Sequence, residues 1–324
     1  MTSTSFLDAI SQAMREEMRR DERVFLLGED IGAFGGAFKV TRGFLEEFGQ
    51  WRVMDMPIAE SGFVGMACAT AIEGRIPIVE FQFADFIACA FDQIINFAAK
   101  VHYRWGLPCP IVFRAPCGGG VRGGPYHSES PEAWFTNVPG LKIVYPSTPY
   151  DAKGLLKSAI RDQNPVIFFE HKRLYRKIRQ DLPEGEILVP LGLADIKRPG
   201  KDLTIITYGA MVHDSIEAAQ RLSEAGYECE VLDLRSLCPL DDEAIYRSVA
   251  RTHRALVVHE AHLTGGFGGE LAARIGAESF AQLDAPVARV GAADVPIPYS
   301  PPLEDAVLPN AEKIYAAALR TLEY

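Results

Sequence analysis

Apolar residues fall into short continuous runs separated by stretches where they recur every three or four positions, the pattern of buried strands alternating with helices. Runs at Val24–Gly28, Ile76–Phe83, Pro110–Arg114, Leu141–Tyr145 and Val166–Glu170 predict strands, and Gly62–Glu73, Asp85–Trp105 and Pro149–Arg161 predict helices between them. Ahead of these, Leu7, Ile10, Met14 and Met18 line one face of an amphipathic helix, with Ser5 and Asp8 as its capping box. The alternation lapses between about Arg176 and Lys201, where Pro183, Gly185, Pro190, Pro199 and Gly200 punctuate a polar stretch. It then resumes with strands at Leu203–Tyr208, Cys229–Leu232, Ala255–His259 and Ala288–Val290, and helices near His213–Ala225, Asp241–Arg251, Gly268–Gly276 and Ala311–Leu322. Strand–helix alternation implies parallel sheets with helices on both faces. The expectation is therefore an α/β protein of two doubly wound domains, 1–182 and a smaller 203–324, joined by a linker at 183–202.

Composition narrows the partners more than the fold. A chain of 324 residues can fill two ordinary domains, and its formal charge of −10 argues against nucleic acid or an anionic membrane as principal partner, while leaving room for a local basic surface on one face. A basic docking segment on another protein suits it better. No apolar run approaches the length needed to cross a bilayer, and Met1–Arg20 reads as an amphipathic helix, not a targeting signal. The six cysteines, at 68, 89, 109, 117, 229 and 238, include no C-x-x-C pair and read as reduced core thiols of a cytoplasmic chain.

The most informative polar residue is Glu60, in Met56-Pro57-Ile58-Ala59-Glu60-Ser61-Gly62. Pro57 blocks a helix before it and small residues follow it, so Glu60 belongs at a strand-to-helix turn. There it either holds a proton for a nitrogen heterocycle or caps the next helix, and this segment alone leaves both readings equal. The run Cys117–Gly124 carries five glycines without the spacing of a phosphate-binding fingerprint, and by itself reads as a mobile surface loop. His127 comes next, just before a helix start at Ser130-Pro131-Glu132, a place suited to proton transfer or anion contact, although a surface histidine is the plainer reading. The segment from Asp85 to Asn96 is apolar nearly all round, so it packs in the core or against another subunit, and Phe86 in its first turn could stack on a planar ligand. Metal binding by His259, Glu260 and His262 is remote, because their spacing is unfamiliar.

Taken in order, Leu27–Gly32, Pro57–Glu60, Phe81–Phe86, Phe91–Ile94, Gly119–Gly124, His127-Ser128 and Leu232–Leu237 resemble the β subunits of the thiamine-diphosphate-dependent 2-oxoacid dehydrogenases over nearly the whole chain. The resemblance implies a pyrimidine-binding transketolase-like domain followed by a transketolase C-terminal-like domain. It implies that Glu60 hydrogen-bonds the aminopyrimidine of thiamine diphosphate and promotes deprotonation of the thiazolium carbon. Phe86 would pack on the same ring, with Glu29, Ile58, Ala59 and Gln82 nearby; Phe83, Phe86 and His127 would face the substrate, His127 also serving acyl transfer to lipoamide. Ile111, Ala159, Ile160, Asp162 and Asn164 resemble the family's potassium site. No Gly-Asp-Gly segment with a following Asn occurs to hold magnesium and the diphosphate. An α subunit must therefore complete the site, in an α2β2 heterotetramer that docks a dihydrolipoamide acyltransferase core. The segments His127–Ala133 and Lys172–Arg176 look closest to enzymes of branched-chain 2-oxoacids, such as 2-oxoisovalerate. Ala88-Cys89, Glu129 and Asn137 depart from the usual residues and keep pyruvate or acetoin as alternatives. A non-catalytic scaffold subunit of the same fold is the alternative from another class.

Overall fold

The structure is a computed structural model that describes residues 3–324. The chain forms two compact units, one of residues 1–117 and 134–191, the other of 118–133 and 192–324. Contact within the fold groups two stretches otherwise than the division expected from sequence: 118–133, expected in the first domain, clusters with the second unit, and the expected linker 183–202 is shared between the units at 191/192. For 118–133 the reason is a set of hydrogen bonds to Glu260 and Glu304, more than a hundred positions away, which no local pattern carries.

In the first unit the strands are β1 (Ser3–Ser5), β2 (Val24–Gly28), β3 (Val53–Asp55), β4 (Ile76–Glu80), β5 (Val112–Cys117), β6 (Lys142–Val144), β7 (Val166–His171) and β8 (Arg179–Asp181). Its principal helices are α1 (Phe6–Arg20), α2 (Glu60–Ile72) and α3 (Pro149–Ile160). The strands pair in the order β6-β7-β5-β4-β2-β3, parallel throughout, while β1 and β8 form a separate antiparallel pair. From β2 the chain runs to β3 on one side, and from β4 to β5 on the other, so a crevice opens where the connections diverge, at the C-terminal ends of β2 and β4. Gly28 of β2 is in register with both Asp55 of β3 and Glu80 of β4, which brings these three strand ends level.

A buried ion network ties the sheet together. Arg114 of β5 is fully buried, bonds Glu170 of β7 through two nitrogens at 2.6 and 2.8 Å, and pairs with Glu80 of β4; the Tyr175 hydroxyl donates to Glu170 at 2.7 Å. Burial pushes the Glu80 carboxyl upward against the opposing pull of Arg114. Ser5 caps α1 by accepting the Asp8 N–H, as its capping box predicts, and Glu16 and Glu17 of α1 pair with Lys153, Lys157 and Arg161 at the α3 end.

The helix expected over Asp85–Trp105 is not continuous. It is a 3-10 segment (Ala84–Ala90), a π turn (Gln93–Phe97), a second 3-10 turn (Ala98–Lys100) and a short α-helix (Val101–Trp105). Two close approaches account for the breaks. A Cβ on Gly140, at φ +100°, would collide with the Ala99 carbonyl, and one on Gly65 of α2 would lie 3.3 Å from the Gln93 side chain. The segment bends to let these elements in, and π turns of this kind mark functional places.

The second unit has strands β9 (Asp195–Arg198), β10 (Leu203–Thr207), β11 (Cys229–Asp233), β12 (Ala255–His262) and β13 (Ala288–Ala292), with helices α4 (Met211–Glu224), α5 (Asp242–Thr252), α6 (Phe267–Glu278), α7 (Pro301–Val307) and α8 (Ala311–Leu322). The order is β13-β12-β10-β11-β9, parallel except for β9. β9 lies inside the segment expected to be linker. Its Asp-Ile-Lys-Arg sequence suits an edge strand, where charge on the open side blocks further pairing.

Candidate active site

Predicted residues gather where β2, β3 and β4 end. Glu29 directly follows β2, Ile58 and Ala59 lead into α2 with Glu60 as its first residue, and Gln82 lies two positions past β4. The Glu60 side chain does not cap α2, whose N-cap is Ala59 without a side-chain bond. Glu60 and Glu29 are both buried, at 8% and 7% exposure, and neither carboxyl has a hydrogen-bond partner among the described residues. Burial first, then the Glu60 and Asp30 charges, pushes the Glu29 carboxyl upward. Two neighbouring acids with little water, one with an oxygen lacking any partner, are costly unless a ligand supplies donors.

The loop after Glu29 is fixed from several sides. The Gly32 N–H donates to Asp55 at 2.7 Å, the Thr41 hydroxyl donates to the Ile31 carbonyl at 2.7 Å, and the Gln82 amide donates to Asp30 at 3.0 Å. Gly28 must be glycine, since a Cβ there would lie 2.6 Å from the Glu80 carbonyl. Phe83 and Phe86 are half-buried and meet edge to face at 6.1 Å, while Ile58 is 86% exposed at the rim. These residues fit an aminopyrimidine in kind: two carboxyl groups for its nitrogens, and an aromatic ring and an exposed apolar side chain for its faces. Sequence reasoning counted Cys89 among the core thiols, but its side chain is exposed. Burial, then the Glu60 and Glu29 charges, raises its exposed thiol, so it stands close to the acid pair.

His127 belongs to the second unit, with the glycine loop. That loop is anchored. The Gly119 N–H donates to Glu260 at 2.6 Å, the Gly120 N–H donates to Glu304 at 3.0 Å, and Arg122 bonds Glu304 and Asp305 at 2.5 and 2.8 Å. Gly124, at φ +69°, is closed over by the Tyr299 ring, which leaves no room for a Cβ. A Cβ on Gly123 would sit 2.9 Å from the His127 carbonyl, so the loop folds directly beneath that half-buried histidine. The Tyr208 hydroxyl, just past β10, donates to fully buried Glu132 at 2.8 Å, and burial pushes that carboxyl up to about 8. Sequence reasoning missed Glu304 and Tyr299 as holders of this loop.

The remote metal reading for His259, Glu260 and His262 fails. No group of three such side chains among the described residues could hold a metal. Glu260 serves Gly119, and His262 Nε2 meets the Val295 carbonyl at 3.0 Å. His259 is fully buried in a cradle of Gly266, Gly268 and Gly291, and burial lowers its imidazole to about 4.

The potassium candidates lie together in the first unit. The Ile111 carbonyl accepts from Val166 at 2.9 Å, the Ala159 carbonyl from Asp162 at 3.2 Å, and the Asp162 carboxylate takes Lys142 at 2.5 Å and the Asn164 N–H at 2.9 Å. The donors are oxygens, which suit a hard monovalent cation.

Comparison with known proteins places this geometry. The transketolase pyrimidine-binding domain matches residues 3–177, and the transketolase C-terminal domain matches 192–314. The chain is 51% identical to the 2-oxoisovalerate dehydrogenase subunit beta of Bacillus subtilis (strain 168), with both chains wholly covered. It is 45% identical to the pyruvate dehydrogenase E1 component subunit beta of the same organism, again over the whole of both chains. The acetoin:2,6-dichlorophenolindophenol oxidoreductase subunit beta of that organism is 45% identical, over 98% of this chain and 97% of that one. A split-gene transketolase, solved as an inactive beta4 tetramer, shares the fold at a TM-score of 0.81 and 23% identity, over 99% of each chain. No helix among the described residues is long and apolar enough to cross a membrane. The sequence, the two domains and the full-length relatives agree: this chain belongs to the family of β subunits of the thiamine-diphosphate-dependent 2-oxoacid dehydrogenases.

Proposed function

We propose that this chain is the β half of a cytoplasmic branched-chain 2-oxoacid dehydrogenase, active only with an α subunit in an α2β2 tetramer. The complex decarboxylates a 2-oxoisovalerate-like acid and passes the acyl group to lipoamide of an acyltransferase core. The observation that carries this reading is the buried, unpartnered acid pair Glu29 and Glu60 at the switch point of the first sheet. Thiamine diphosphate, when bound, supplies the carbon nucleophile and the electron sink for decarboxylation. Glu60 Oε would hold the proton that an aminopyrimidine nitrogen gives and takes, beside Glu29, whose carboxyl burial raises. Phe86 and Ile58 would hold the ring by its faces, with Gln82, fixed by its bond to Asp30, nearby. His127, seated on the anchored loop, carries a proton toward substrate oxygen or lipoyl sulfur.

Magnesium and the diphosphate fall to the α subunit, because this chain has no motif for them. An apolar surface on the first unit suits that partner: Tyr103 is 95% exposed, and Trp105, Leu107 and Trp134 are exposed as well. Potassium at Ala159, Ile160, Ile111, Asp162 and Asn164 would tie the end of α3 to β7. The branched-chain preference rests on the 51% relative against 45% for the pyruvate and acetoin ones, and on Ala88-Cys89 leaving room beside the acid pair.

The test is co-expression with an α subunit, addition of thiamine diphosphate and magnesium, and measurement of carbon dioxide release from 2-oxoisovalerate, 4-methyl-2-oxopentanoate, 2-oxobutyrate and pyruvate. Greatest kcat/KM on 2-oxoisovalerate, with none in the isolated chain, is expected. Greatest kcat/KM on pyruvate would reassign the substrate, and full activity in Glu60→Ala would return the chain to a scaffold role.

A further inference from the structure

A pocket of about 480 Å³ in the first unit is lined by none of the candidate site residues described above. Its walls include Lys39, Arg42, Arg176 and Arg179, with Asp8 as the lone carboxylate, in a chain whose formal charge is −10. Asp8 is already engaged by the Ser5 hydroxyl at 2.6 Å. None of the four cations meets a carboxylate at ion-pair distance among the described residues. Arg176 donates to the Phe38 carbonyl at 3.2 Å, Arg179 to the Ser3 carbonyl at 2.9 Å and Lys39 to the Phe34 carbonyl at 2.8 Å, while the Arg42 guanidinium has no acceptor among those residues. Arg15 and Arg19, further along α1, show the ordinary alternative, since both pair with Glu47. Lys39 also holds a φ of +71°, a conformation that side chains avoid unless the surroundings impose it, and strain of this kind gathers at ligand clamps.

We propose that this pocket binds a small anion bearing two or more phosphate charges. Guanidinium forks match phosphate oxygens in pairs, and although Lys39 also lies over the Phe34 ring, none of the four charges is neutralised by a carboxylate, so the concavity keeps a net positive field for a ligand. The Ser11 hydroxyl adds a donor, and Leu7 and Phe38 give an apolar wall for an organic portion. Phe38 meets Phe83 edge on at 5.4 Å, and Phe83 meets Phe86, so the bound anion lies against the first of three linked rings.

Calorimetric titration of the full chain with inorganic pyrophosphate and with magnesium-free ATP, at low and at physiological salt, tests this. A single saturable site is expected for both, at least tenfold weaker in Arg176→Ala/Arg179→Ala and unchanged in Lys100→Ala/Arg104→Ala, which removes the same charge elsewhere. Should the first double variant fail to fold, Arg42→Ala carries the test, with several-fold weakening expected. No saturable binding, undiminished binding in the pocket variants, or equal loss in the control pair would overturn the proposal. Glu60→Gln should bind both anions normally, so failure of the dehydrogenase reading is told apart from failure of this one.

Discussion

Each of the two units holds a pair of buried carboxyl groups beside its functional loops, and the fold treats the two pairs in opposite ways. Glu260 and Glu304 are engaged: the Gly119 N–H donates to Glu260 Oε1, and the Gly120 N–H and the Arg122 guanidinium take the two oxygens of Glu304. Glu29 and Glu60 have no hydrogen-bond partner among the described residues, and an oxygen of Glu29 is buried outright. An engaged buried acid repays its desolvation inside the fold and is therefore structural. An unsaturated one, as at Glu29 Oε1 here, is a cost that a ligand donor would remove, and that asymmetry supports the proposal that the first pair is the chemical one. Arg114 with Glu80 and Glu170 supplies a third case, acids saturated by charge.

The difference predicts which substitutions cost activity and which cost stability. Glu60→Gln should lower kcat/KM of the assembled enzyme by about 10²–10⁴-fold, the usual worth of a positioned proton carrier. Its unfolding midpoint should stay or rise, because an unpartnered buried acid is gone; a destabilised Glu60→Gln would break the comparison. Arg114→Met should do the reverse. It strands two buried carboxylates and should cost about 3–5 kcal/mol in urea unfolding, the range for one broken half of a buried ion pair.

Glu260→Gln sharpens the contrast at smaller scale. An amide oxygen can still accept the Gly119 N–H, but the charge assistance goes, so a loss of about 1 kcal/mol is expected in urea unfolding. Faster hydrogen exchange at Gly119 and Gly120, with Glu60-dependent chemistry intact, would separate loop anchoring from catalysis.

Much of the first pair's placement was legible, for a physical reason. Glu29 and Glu60 lie within five residues of strand ends, and Pro57 with the small residues after Ser61 locates the turn that presents Glu60. The second pair was not legible, because Glu260 and Glu304 reach loop residues 141 and 184 positions away. The same separation hid the grouping of 118–133 with the second unit. The discontinuity between Ala84 and Trp105 also escaped periodicity, since a segment apolar on every face gives no phase by which to detect a π turn. β9 escaped because edge strands are short and charged, which in sequence reads as linker.

Glu132 tests the comparison at its finest, since it is saturated on one oxygen only. Tyr208 donates to Oε1, Oε2 is buried without a partner, and burial holds the carboxyl up to about 8 against an ordinary 4.5. The native state thus keeps its proton while the unfolded chain releases it. Between pH 4.5 and about 8 the native state binds more protons, so this group's contribution to stability falls as pH rises and levels off above 8. Buried His259, lowered to about 4 from 6.5, acts in the opposite sense: its contribution falls as pH drops from 6.5 towards 4. Glu132→Gln keeps the acceptor for Tyr208 and removes the ionisable proton. Urea unfolding at pH 5, 6.5 and 8 should then show a flatter dependence than the parent, with the variant's gain greatest at pH 8. An unchanged slope would mean that Glu132 is ionised in the fold, and that partial saturation is enough to hold a buried charge.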